Sequence, residues 1–268
     1  AGCSGNKTSE PAGSDAGSTK SSSKKKTVEL QVFAANSLEK ALPEVQELYT
    51  EQTGTTFADT QFKASGDLVE QMRAGATVDV LITASKGTMD DAETAELVDT
   101  DTREDMFVND LVIIRAEGSD TKVEAIADVA NLDGKIAIGD AKTVPAGKYA
   151  NQALASVGLY TGIEGDDGEY APEIADKVAL ADKVGTAAAY VSTGDCVAGF
   201  VYSSDIFRYD GIEEAFVCPE DSHKPIVYPG AVADGSEHAD EAKAFIDFCL
   251  SNKKAQKIWA KYGFELSA

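Results

Sequence analysis

Cysteine is scarce in this chain, four in 268 residues, which excludes a fold stapled by dense disulfides. Basic residues are outnumbered, 24 Lys and Arg against 46 Asp and Glu. The resulting net charge of −22 lacks the cationic footprint that nucleic-acid phosphates require. No window approaches eighteen apolar residues, so no segment reads as a bilayer-spanning helix. The two histidines, His223 and His238, fit no zinc-ligand spacing. A GxSxG elbow, a Walker loop and a GxGxxG turn are all missing, and with them the usual signals for a hydrolase, a nucleotide-triphosphate enzyme or a dinucleotide enzyme. So many carboxylates guarantee accidental acid pairs; solvated acidic faces account for most of them. Nothing here proposes an enzyme or a bound cofactor.

What is present divides sharply at residue 26. Residues 1–26 hold seven Ser and four Gly but no aromatic, Leu, Ile or Val. Such a segment buries too little apolar surface to offset its ordering entropy and reads as a disordered linker. It carries five Lys and two acids, a charge of +3, which leaves −25 on the body. Ala1-Gly2-Cys3-Ser4 resembles the end of a bacterial lipoprotein signal, so Cys3 is expected to carry lipid. A linker of this length reaches about 25 Å, enough to hold a folded body clear of the outer face of the cell membrane. Cys196, Cys218 and Cys249 then allow at most one internal bridge, with Cys196–Cys218 the pair nearest in sequence, or three buried thiols.

The body alternates strand and helix patterns. Strands are expected at Val28–Ala34, Thr56–Phe62, Val78–Ala84, Leu111–Arg115, Lys135–Gly139, Ala198–Tyr202 and Ala215–Val217. A helix begins near Leu38 and stops at Gly54, another covers Asp67–Ala74, and others lie near Gly147–Ser156, Val184–Ser192 and, as a pair, between Asp240 and Tyr262. Pro43, inside the first of these, predicts a kink. This order indicates an α/β architecture with parallel-rich sheets and helices on both faces. About nine strands suit two lobes better than one wide sheet: residues 27–109 with 227–268 as the first, residues 110–226 as the second. Gly162–Glu169 reads as a surface loop without a calcium-loop pattern.

Small polar residues recur where helices begin. Ser37 follows strand VELQVFA, Ser65 follows Phe62 and Ala146 (after Pro145) follows KIAIG, each opening a helix, and Val184-Gly185-Thr186 opens the helix AAAYV. A helix start leaves backbone N–H groups without intrahelical partners and carries about half a positive charge. Several such starts at the carboxyl ends of parallel strands form an anion site without a cation. Plain capping is the competing account, with Ser65 as a cap and Asn36-Ser37-Leu38-Glu39 as a capping box.

Several stretches resemble the periplasmic molybdate-binding proteins of ABC importers: VFAANSLEKAL, FKASGDLVEQMRAGATVDVLITAS, IAIGDAKTVPAGKYANQAL, AGFVYSSD, PEDSHKPIVYP and IWAKYGF. They run in order from Val28 to Phe264. The resemblance implies a type II solute-binding fold, two α/β lobes joined by crossing hinge segments and closing on a ligand. It implies an oxyanion, molybdate or tungstate, held by Ser37 and Ser65, by the backbone N–H groups of Ala146 and Val184, and by the Tyr202 phenol. No Lys or Arg is expected at the anion. Asn36 and Gly230 stand where the family more often has small apolar residues. Sulfate or a small organic acid on the same fold is the alternative ligand. The implied partners are an ABC permease and, through Cys3, the membrane, for a monomer outside the cytoplasm.

Overall fold

The computed structural model describes residues 27–267; the expected linker and the lipid on Cys3 lie outside the described residues. The chain first lays down β1 (Glu29–Leu30), β2 (Val32–Ala35), α1 (Ala41–Thr53), β3 (Thr56–Phe57), β4 (Gln61–Lys63), α2 (Ser65–Arg73), β5 (Val80–Ile82), α3 (Lys86–Thr94) and β6 (Glu104–Asn109). Crossing at Asp110, it builds a second unit from β7 (Leu111–Ala116), β8 (Ile136–Gly139), α4 (Pro145–Ser156), α5 (Pro172–Ala175), β9 (Val178–Ala181), α6 (Val184–Ser192), β10 (Ala198–Tyr202) and β11 (Ile212–Val217). It then crosses back into β12 (Ile226–Val232), α7 (Ala239–Ser251), α8 (Lys253–Lys261) and β13 (Glu265–Leu266).

Two mixed sheets result, one per lobe. The first runs β13-β6-β12-β5-β2-β4 and the second β11-β7-β10-β8-β9, with β1 and β3 forming a separate parallel pair. Parallel pairing links β4, β2 and β5 in the first sheet and β9, β8 and β10 in the second. Antiparallel pairing involves the strands next to the crossings, β6 and β12 in one lobe and β7 and β11 in the other, and the C-terminal β13, which pairs with β6. A chain that leaves one sheet and returns from the other must run against its neighbours, which is why the parallel part is confined to one side of each sheet.

Apolar periodicity accounts for the packing. Leu68, Val69 and Met72 of α2 and Met89 of α3 are buried with Phe33 and Leu81 of the first sheet. In the second lobe Ala187, Ala188 and Val191 of α6 cover Val112, Ala137 and Val201. Fully buried Trp259 packs its ring 4.4 Å from Phe107 and donates its indole N–H to the Cys249 carbonyl at 3.0 Å.

The structure corrects several local expectations. No kink follows from Pro43, because α1 starts at Ala41 rather than near Leu38; Pro43 falls in the first turn, where its missing N–H has no partner to lose. The helix does stop at Gly54, at φ 79. Asn36 caps nothing: it lies in a single 3-10 turn, Asn36–Leu38, whose preceding residue is Ala35, and the Glu39 carboxylate bonds Arg208 instead. Ser65 is not a cap either. Ala64 precedes α2, and the Ser65 hydroxyl accepts from the Ala84 N–H at 2.9 Å. Cys196, Cys218 and Cys249 are buried free thiols. The strands β6 and β9, the helix α3 and the strand β12, whose pairing with β6 shifts register at Pro229, are additions to the sequence reading.

Candidate oxyanion site between the lobes

The two parallel segments place their carboxyl ends around one crevice of about 400 Å³. From the first lobe, β2 leads into Ser37 and β4 into Ser65; from the second, β8 leads to Ala146, β9 to Val184, and β10 ends at Tyr202. All five residues line this crevice. Ser37, Ser65, Ala146 and Tyr202 are buried, and Val184 is half-buried.

The donor groups in this crevice are unusually free. The backbone N–H groups of Ser37, Ser65, Ala146 and Val184 have no protein acceptor among the described residues, as helix starts require for the latter three. The Ser65 hydroxyl oxygen is engaged from behind by the Ala84 N–H. The Ser37 hydroxyl lies 2.8 Å from the Tyr228 phenol. The Tyr202 phenol is buried with no hydrogen-bond partner, the one such buried side-chain atom among the described residues. Burial, reinforced by the neighbouring Tyr228, Tyr149 and Asp205, holds its pKa well above the ordinary tyrosine value. Tyr202 therefore remains an O–H donor at any physiological pH. A buried donor without an acceptor costs about 1–3 kcal/mol, so this geometry awaits an acceptor.

Charged residues also stand at the crevice, and the expectation that none of them touches the anion belongs to the proposal below. Lys63, Lys142, Lys183 and Arg208 all contribute to its walls, with Asp67 and Asp182. Lys142 and Lys183 are exposed. Arg208 is committed to fully buried Asp205 at 3.0 Å and to Glu39 of the opposite lobe at 3.1 Å. The physical reason is the chain's route: the same loops that bring helix starts inward also carry flanking charged residues to the rim. Sequence inspection missed these cations because each belongs to a loop whose direction only the fold defines. It also missed Tyr228, although that residue stands in the stretch PEDSHKPIVYP.

A larger hollow, about 590 Å³, lies on the first lobe and is lined by Glu29, Asp79, Glu96, Asp234 and Glu237. Its carboxylates repel anions. The interlobe crevice is the one whose donors match an anionic ligand.

A family model described as bacterial extracellular solute-binding protein matches residues 30–265. The chain belongs to this family. The molybdate-binding protein ModA of Escherichia coli is 33% identical over 242 residues, covering 88% of this chain and 89% of that protein. YvgL of Bacillus subtilis, named as an ABC transporter substrate-binding lipoprotein, is 29% identical over 91% of this chain and 89% of its own length. Among solved structures, a substrate-binding domain from Clostridium difficile whose name assigns it to a molybdenum ABC transporter superposes with a TM-score of 0.74 at 33% identity. That match covers 90% of this chain and all of that one. The two-lobed fold of the solute-binding family is thus shared along the whole described body.

Proposed function

We propose that this protein captures molybdate, and tungstate with it, outside the cytoplasm and delivers it to an ABC permease. The observation that carries the reading is the buried, partnerless phenol of Tyr202, a residue that lines a crevice where four backbone N–H groups also lack acceptors. Similarity to a molybdate-binding protein and to a molybdenum-transporter domain supports the choice of anion. Ser37 and Ser65 give hydroxyl and N–H donors, Ala146 and Val184 give N–H donors, and Tyr202 gives its O–H. Hydrogen bonds to a charged acceptor contribute roughly 1.5–3 kcal/mol each. Several of them reach about −8 to −12 kcal/mol, micromolar to nanomolar affinity. The same donors, fixed on rigid elements, do not contract around sulfate, so size favours the larger oxyanion. A donor-only grip also disfavours phosphate, whose bound proton needs an acceptor.

Because the donors come from both lobes, a bound anion favours the closed arrangement, which is what a permease recognises. The protein acts by binding, as a monomer, with no cofactor and no chemical step. Cys3, by its lipoprotein-like context and by similarity to a relative named as a lipoprotein, anchors it to the outer face of the membrane.

Calorimetric titration with molybdate, tungstate, sulfate and phosphate tests the reading. Submicromolar binding of the first two with sulfate and phosphate at least a hundredfold weaker is expected. Tight sulfate binding with no heat from molybdate would overturn it.

A further inference from the structure

Behind Ser37 lies a hydrogen-bond chain in which the direction of the protons that reach it can be followed. It starts at an unambiguous donor, the backbone N–H of Asp110, which donates to the Asn109 Oδ1 at 3.0 Å. Ser203 Oγ donates to the same oxygen at 2.8 Å. With Oδ1 so fixed, the Asn109 amide must turn its Nδ2 toward Ser204 Oγ at 2.9 Å and the Tyr228 phenol oxygen at 3.2 Å. An amide nitrogen only donates. The Tyr228 oxygen therefore accepts from Asn109, and its own proton has a single acceptor within reach, Ser37 Oγ at 2.8 Å. Ser37 Oγ accepts on its inner side and has its own proton left for the crevice.

We infer that Tyr228, oriented by Asn109, is a positioning residue that makes the Ser37 hydroxyl an obligate donor to the bound oxyanion. The inference rests on the proposed oxyanion function and adds to it a reason for selectivity. With Tyr228 on its inner side, the Ser37 proton has to find its acceptor on the ligand, so a protonated anion, which offers fewer free acceptor positions, makes the poorer contact. The device spans the hinge: Asn109 ends β6 at the crossing, Ser203 and Ser204 follow β10 of the second lobe, and Tyr228 lies in β12. Tyr228 is fully buried among Phe107 and Phe264, with ring centroids at 6.5 and 5.6 Å. That packing survives loss of the hydroxyl alone. Burial also holds the phenol far above its ordinary pKa, so its proton is in place throughout the working range.

The test is a double-mutant cycle of Tyr228→Phe and Ser37→Ala, titrated with molybdate, tungstate, sulfate and phosphate, with melting temperatures recorded for each variant. Using the anion the unmodified protein binds most tightly, Tyr228→Phe is expected to weaken binding five- to twentyfold. In the Ser37→Ala background it is expected to change affinity by less than twofold, because its effect passes through Ser37. Phosphate should lose less than that anion does, which narrows the discrimination. Asn109→Leu, which keeps Tyr228 but removes what directs it, is expected to show the same narrowing with a smaller loss of affinity. Unchanged affinity in Tyr228→Phe, or losses that multiply independently in the double variant, overturns the positioning role. If sulfate binds best and the coupling persists, the positioning role stands and the choice of molybdate fails. Absence of binding to all four anions by the unmodified protein overturns both.

Discussion

At the scale of single residues, the crevice distinguishes groups that serve the fold from groups that serve a ligand. The Ser65 oxygen satisfies the buried Ala84 N–H while its proton remains available, so under the proposed function Ser65 does both. Tyr202 satisfies nothing within the protein. Tyr202→Phe should therefore lower oxyanion affinity by about 1–2 kcal/mol while leaving the melting temperature of the ligand-free protein unchanged or higher, as relief of an unpaired buried donor requires. Ser65→Ala should lower both. Calorimetry paired with thermal denaturation separates the two patterns; a destabilised Tyr202→Phe of unaltered affinity would place Tyr202 in the fold instead. The pH dependence follows from the same burial. Desolvation disfavours the phenolate, so the Tyr202 pKa is raised, and its donor proton is lost only above the ordinary value near 10. Titrations from pH 7 to 9.5 should give a constant dissociation constant; a decline centred below pH 9.5 would show that an ionising group of lower pKa grips the anion.

Elements place these residues, and much of that placement was legible beforehand. The apolar run VELQVFA, the stop at Gly54 and the Pro145 helix start are local signals, and α1, α4 and α6 stand where such signals put them, apart from the start of α1. Three local readings failed for tertiary reasons. Ser65 had a better partner in Ala84 than its own helix, Glu39 had one in Arg208, and Pro43 fell in a first turn because a 3-10 turn delayed the start of α1. Of the candidate site, the five residues expected from the family resemblance, three of them also from helix starts, line one crevice. Tyr228 and Asn109 were not expected, because a hydrogen bond across 119 or 191 residues leaves no mark in local spacing. One close approach sets where the Ala146 N–H points. A Cβ on Gly147 would lie 1.8 Å from the Gly139 carbonyl oxygen, so only glycine lets α4 start directly against β8. Gly147→Ala should destabilise the protein by about 1–3 kcal/mol and weaken oxyanion binding as the α4 start is pushed away, as urea unfolding and calorimetry would show. Wild-type stability and affinity in that variant would mean that the α4 start is soft and does not fix the donor.

For the whole molecule, charge and grip have opposite signs. A chain of net charge −22 repels a dianion at long range, whereas the uncharged donors of the crevice act only at contact. The Debye length is about 10 Å at 0.1 M salt, so added salt hides the distant carboxylates before it weakens the crevice. Stopped-flow association should accelerate between 10 and 150 mM salt with little change in dissociation; a rate that falls with salt would show that Lys63, Lys142 and Lys183 steer the ligand in. Two interlobe contacts, Arg208 to Glu39 at 3.1 Å and the Lys40 ammonium to the Phe207 carbonyl at 3.2 Å, tie the lobes beside the crevice and leave the site to be completed by the ligand.

The most direct test is a crystal structure grown with molybdate, with the metal located by its anomalous scattering. One peak is expected between the lobes, with the oxygens around it within about 3 Å of donors on Ser37, Ser65, Ala146, Val184 and Tyr202. A peak outside the crevice, or an anion gripped chiefly by Arg208 or the rim lysines, would contradict it.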